Sequence, residues 1–181
     1  MGKVLNEKVF TKLVRLKKAK YNKIKTGAIQ YDDSHYIFTD GIIVAKVKEK
    51  TLTEKMKTVS DFDEGQMRQV ERIFKEYEEQ NLDEEELELI KLSNFDFCEN
   101  PTAAEKRLET LYILQGKGNG VFTLLNKDFV DPLLPYNPKF YATRDFSPVA
   151  VKIGNKLYAL ICSVKPSDEI IEEIRKDLEN A

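Results

Sequence analysis

Residues 124–165 read LLNKDFVDPLLPYNPKFYATRDFSPVAVKIGNKLYALICSVK. Two apolar residues lead into Asn126, whose side-chain oxygen suits a helix N-cap. Pro135 and Pro138 then stop the helix early, because proline lacks the N–H that continues it. KFYATRD, SPVAVKI and KLYALICSV follow as strands, with Gly154-Asn155 turning between the last two and Ser147-Pro148 at a strand start. The order is strand, helix, three strands.

Residues 3–48, KVLNEKVFTKLVRLKKAKYNKIKTGAIQYDDSHYIFTDGIIVAKVK, repeat that order. Val4-Leu5 lead into Asn6, again an N-cap, and Glu7 suits the positive end of the helix dipole. Val9, Leu13 and Leu16 share one helix face. Lys8, Lys12 and Arg15 form a second stripe at the same spacing, followed by Lys17, Lys18 and Lys20. The period then changes to two: KTGAIQY, a turn at Asp32–Ser34, HYIFTD, a break at Gly41, and IIVAKVK. Two copies of one order predict an internally duplicated domain, with a first repeat over 3–50 and a second over 111–166.

Between the copies, residues 51–110 read as a helical insertion. Ser60 or Asp61 caps a helix running to about Gln80, with Met67, Val70, Phe74 and Tyr77 on one face. The acid-led run DEEELELIKL predicts a second helix, and Thr102 with Glu105 forms a capping box for a third. TLYILQGKGNGVFTLL reads as a hairpin. GKGNG is followed by a strand rather than a helix, so it is not a phosphate-binding loop, and no cofactor is expected. Ser167 caps a C-terminal helix over 167–181, with Ile170, Ile171, Ile174 and Leu178 on one face.

A length of 181 residues suits one domain. Hydrophobic residues at 41% and charged residues at 33% point to a soluble globular protein, somewhat rich in charge. The start, MGKVLNEKVF, has no apolar signal core, and no run is long enough to span a bilayer. Asn6 stands where a myristoylation signal needs Ser or Thr. Cys98 and Cys162 lie among apolar residues and read as buried structural thiols of a reducing, cytoplasmic compartment. His35 has neither a second His nor a Cys near it, so a metal site is not expected. The carboxylates form no acid/base, nucleophile or metal set by spacing, Asp40 beside Gly41 reading as a strand-end acid, so the chain is not expected to be an enzyme. The net charge of −2 conceals an asymmetry. Residues 1–60 carry 14 Lys/Arg against 6 Asp/Glu, residues 61–110 carry 6 against 16, and the remainder is even at 9 against 9. The basic part is a candidate nucleic-acid face, and the acidic part a candidate partner surface or an internal counterweight.

Asn126 to Lys165 resembles the end of the bacterial DNA polymerase III beta subunit, the sliding clamp. Ser147-Pro148-Val149 matches that family's Ser-Pro-Val-x-Ile strand, and Tyr158-Ala159-Leu160-Ile161-Cys162-Ser163-Val164 its final strand. Phe38-Thr39-Asp40-Gly41-Ile42-Ile43-Val44 resembles its Ala-Thr-Asp-Gly-His-Arg-Leu strand. The resemblance implies an α+β, DNA-clamp-like domain of two βαβββ repeats spanning 1–166. It implies a non-enzymatic, DNA-replication-associated protein of a phage or mobile element. Duplex DNA would be bound through backbone phosphates by Lys8, Lys12, Arg15, Lys18 and Lys20. The chain has one such domain where a clamp subunit has several, so a ring needs a homo-oligomer. The family's His-Arg is Ile42-Ile43 here and its Met-Pro is Cys162-Ser163. These substitutions alter both regions that build the clamp's peptide pocket. The alternative is a clamp-fold protein-interaction module, with a replication or regulatory partner, that has lost DNA binding.

Overall fold

The computed structural model describes residues 25–79, 85–90, 110–116 and 120–179. Nine strands occur among them: β1 (Gly27–Asp32), β2 (His35–Thr39), β3 (Ile43–Lys48), β4 (Glu85–Ile90), β5 (Leu111–Gly116), β6 (Phe122–Asn126), β7 (Lys139–Ala142), β8 (Val149–Ile153) and β9 (Lys156–Ile161). Four α-helices accompany them: α1 (Glu54–Thr58), α2 (Glu64–Glu79), α3 (Lys127–Val130) and α4 (Asp168–Glu179). The fold is α+β, as expected. The expected strand at 3–5, the helix from Asn6, the helix from Pro101 and Cys98 lie outside the described residues.

One sheet contains all nine strands in the order β1-β2-β3-β9-β8-β7-β4-β5-β6, every neighbouring pair antiparallel. The two three-strand runs, β1–β3 and β7–β9, meet at their last strands, where Ile43 lies opposite Ile161 and Ala45 opposite Ala159. The order is therefore symmetric about the β3–β9 seam over six strands.

The sheet is curled. Val164 donates its N–H to the Leu124 carbonyl at 2.9 Å. Leu124 lies in β6, five places from β9 in strand order. A flat sheet would separate strands five places apart by about 24 Å. The three residues from Ile161 to Val164 reach only about 10 Å. The concave face is thus the interior. Phe38 of β2, Val149 and Val151 of β8, Ile161 of β9 and Leu125 of β6 belong to one buried cluster there, with Phe129, Val130 and Leu133 from and after α3. The convex face carries two separate clusters. α2 lays Phe74 against Ile37, Ala150 and Leu160, and α4 lays Ile171 and Ile174 against Leu111, Ile113, Phe122 and Leu124. Fully burying each such aliphatic or aromatic side chain contributes about 1.5–3 kcal/mol.

Three local expectations are corrected. Residues 85–90 form strand β4, not a helix. Acids at the start suggested a helix N-terminus, but E-E-L-E-L also alternates with period two. β5 and β7 supply hydrogen-bonding partners on both sides, with Leu87 opposite Gly116 and Phe140, so tertiary pairing decides the outcome. Block 51–110 is accordingly not purely helical. The cap of α2 is Asp63, not Ser60 or Asp61. Gln66 N–H donates to Asp63 Oδ1 at 2.8 Å and Asp63 N–H donates to Gln66 Oε1 at 3.1 Å, a reciprocal capping box. Asp61 instead exchanges two hydrogen bonds with Thr26, both 2.8 Å, which ties the approach to α2 onto the start of β1. Finally, α3 ends at Val130, ahead of Pro135 and Pro138: Asp131 is still in the helical region, but Pro132 after it has no N–H to continue the hydrogen-bond ladder. Its cap is Asn126 as expected, accepting from Asp128 N–H at 2.9 Å.

Candidate functional site

The residues singled out as a phosphate-binding stripe, Lys8, Lys12, Arg15, Lys18 and Lys20, lie outside the described residues. The structure describes the scaffold that follows them and the charged surface of that scaffold. The acids of α2 are largely matched close at hand. Glu64 pairs with Arg68 at 2.5 Å, Glu71 with Lys75 at 2.7 Å and Glu76 with Arg72 at 3.7 Å, each at helical i, i+4 spacing. Glu78 takes Lys46 of β3 at 3.2 Å and the Tyr31 hydroxyl of β1. Lys46 also lies over the Tyr31 ring, 4.3 Å from its centre. Burial, followed by the bond to Glu78 and the neighbouring acids, holds the Tyr31 phenol well above its ordinary range. This cluster fastens α2 to β1 and β3.

Further cations stand near one end of the convex face. Lys139 of β7 is directly opposite Lys152 of β8. Lys139 pairs with Glu86 of β4 at 3.1 Å, and Lys152 lies over the Tyr141 ring at 4.5 Å. These lysines are engaged by the fold, which suits structural roles better than phosphate binding. Register and alternation bring them together, and nothing in their sequence spacing announced it.

His35 is held locally. Its Nδ1 lies 2.9 Å from Asp32 Oδ1 and 2.9 Å from Ser34 Oγ. The Ser34 N–H, then His35, stabilise the Asp32 carboxylate and lower its pKa to about 2. Asp40 accepts the N–H groups of Ile42 and Ile43, both at 2.9 Å, around Gly41 at φ +84°. That is the chemistry of a turn closed by an acid, as read from sequence. No group of three or more His, Cys, Asp or Glu suited to a metal occurs among the described residues, nor does any helix long and apolar enough to cross a membrane.

The two segments that differ from the clamp motif lie side by side, because Cys162 N–H donates to the Ile42 carbonyl at 2.8 Å. Cys162 is exposed, which corrects the expectation of a buried thiol. Strand alternation puts it on the same face as Leu160, and the cover that buries Leu160 does not extend to it. A further constellation escaped the sequence reading. Asp145, in the β7–β8 loop, accepts the Phe122 N–H at 3.0 Å and pairs with Arg175 of α4 at 2.7 Å. Its one sequence signal was an arginine on an otherwise acid-rich helix.

Comparison of the chain with protein-family models, with curated proteins and with solved structures finds no match.

Proposed function

We propose that the chain is a non-enzymatic, clamp-like protein that associates with duplex DNA through its backbone phosphates. The observation that carries this reading is the strand order. A duplicated βαβββ domain requires two like sets of three strands, and β1-β2-β3 followed by β9-β8-β7 has that symmetry. The capped helix α3 precedes the second set, in the place that the basic segment from Asn6 holds in the sequence before the first. On this reading, Lys8, Lys12, Arg15, Lys18 and Lys20 neutralise successive phosphates and read no base edges. Several copies of this single domain enclose the duplex, with solution mass the measure of that assembly. A peptide pocket of the clamp kind is not part of the proposal, since Ile42-Ile43 and Cys162-Ser163 replace its residues.

The internal pairing of the α2 acids favours this reading over the interaction-module alternative, because Glu64, Glu71, Glu76 and Glu78 already have basic partners. The alternative also cannot be tested by deleting residues 61–92. That deletion removes β4 from between β5 and β7, and Phe74 from under the sheet. The test is fluorescence anisotropy with a labelled duplex at low salt. The wild type should bind and the Lys8→Glu/Lys12→Glu/Arg15→Glu variant should not. A wild type that does not bind, or a variant that binds equally well, refutes the reading.

A further inference from the structure

We infer that α4 is a strap that opens independently of the sheet it covers, and that its docking sets the conformation of the β7–β8 loop. This inference stands apart from the DNA reading.

Three features of its docking support independent opening. First, α4 is seated on a cluster of its own. Ile171 and Ile174 are buried, and Ile170 and Leu178 partly so, against the convex face of β5 and β6. The interior cluster and the α2 cluster are separate from it. Second, its tether is pinned to the sheet only as far as Val164, whose N–H bonds the Leu124 carbonyl; beyond it Lys165 and Ser167 are exposed. Third, the arginine that anchors it is half-exposed and meets Asp145 at the surface. An element with little buried apolar area, an exposed tether and a solvated ion pair has the properties of a unit of low local stability.

The coupling to the loop rests on Phe146. Its φ is +54°, the left-handed region, which is a genuine outlier for a bulky side chain and costs free energy to hold. What holds it is visible. Its ring meets Phe122 edge to face at 5.2 Å and packs within the cluster that α4 covers. Its carbonyl accepts from the Ser163 hydroxyl at 2.6 Å, and that hydroxyl also lies 3.1 Å from the Ser147 carbonyl. Ser163 belongs to the tether of α4. The preceding residue, Asp145, joins Arg175 to the Phe122 N–H. Helix, tether and loop are therefore one mechanical unit. When α4 lifts, the loop loses the cover over the Phe146 ring and the arginine on Asp145, and the left-handed residue can relax. The opening bares Leu111, Ile113, Phe122 and Leu124.

The test is amide hydrogen exchange read residue by residue on the full chain, for wild type, Ile174→Ala and Arg175→Ala. In the wild type, the amides of α4 should exchange on the order of 100-fold faster than those of β8 and β9. Arg175→Ala should speed α4 about 2–5-fold, the range of an exposed ion pair. Ile174→Ala should speed it by at least about 10-fold. Because both substitutions weaken the docked state itself, β8 and β9, which exchange through global unfolding, should accelerate by at most the same factor, and α4 should remain the faster element in both variants. The Phe122 and Ser147 amides, bonded through the loop, should accelerate with α4 in both variants. Exchange of α4 at the same rate as β8 and β9, in the wild type or in either variant, overturns independent opening. Phe122 and Ser147 amides that keep their protection while α4 accelerates overturn the coupling.

Discussion

Replacing Gly27 by alanine tests how tightly the segment leading into α2 is seated on the sheet. Gly27 opens β1 opposite Thr39. A Cβ placed there would stand 2.5 Å from Met67 Sδ, 2.8 Å from Ser60 Oγ and 2.9 Å from Phe62 Cδ2. All three neighbours belong to the stretch that enters α2. Met67 is flexible and can move its sulfur. Ser60 and Phe62 are less free, since Ser60 Oγ donates to the Phe62 carbonyl at 2.8 Å and accepts its N–H at 3.1 Å. Asp61 between them is fixed to Thr26. The added methyl therefore pushes a braced segment, and overpacking of this kind costs about 1–3 kcal/mol. Replacing glycine also restricts the unfolded chain, which offsets about 0.4–1 kcal/mol. The net loss is about 1–2 kcal/mol, a fall in Tm of about 3–6 °C for a chain of this size. The assay is thermal unfolding followed by circular dichroism, for Gly27→Ala, Met67→Ala and the double variant. Part of the Met67→Ala cavity should be filled by the new methyl, so the double variant should be more stable than the sum of the single losses by about 1 kcal/mol. A Gly27→Ala variant within about 0.5 kcal/mol of wild type, or strictly additive losses, refutes the reasoning.

Phe74 of α2 is fully buried against the sheet, so Phe74→Ala should cost about 3–5 kcal/mol in urea unfolding, whereas a loss below about 1 kcal/mol would make α2 a dispensable appendage. The Tyr112 hydroxyl donates to Asp131 at 2.6 Å, and that bond, with burial and the negative charge, pushes the phenol up to about 12. Its folded pKa lies above the unfolded value of 10.0, so its contribution is complete below pH 10 and fades as pH rises towards 12. The stability difference between wild type and Tyr112→Phe, read from urea midpoints, should therefore shrink across that interval, and a constant difference would contradict the assignment.

Much of the fold was legible because strand alternation and turn chemistry are local. Gly41 and Gly154 adopt the positive φ their turns required, Asn126 caps α3, and the Met67–Tyr77 stripe does face the sheet. The misses share a cause. EELELI satisfies a helical and a strand period alike, and only its neighbours β5 and β7 decide between them. Ser60, Asp61 and Asp63 are equally good cap residues by type, and the contact with Thr26 that occupies Asp61 is long-range, so sequence alone does not single out Asp63. Cys162 continues an apolar run yet ends exposed, because burial depends on which helix lies over the strand. The Asp145–Arg175 contact spans 30 residues with no shared motif. The proposed phosphate stripe was read from charge spacing alone, and its five residues lie outside the described residues.

The salt dependence of duplex binding tests the central claim most directly. If Lys8, Lys12 and Arg15 each displace a counterion from the DNA, removing any one by alanine should reduce the slope of log affinity against log salt by about 0.9. The loss should be the same for duplexes of unrelated sequence. A slope near zero for the wild type, or one unchanged by all three substitutions, would contradict phosphate binding by these residues.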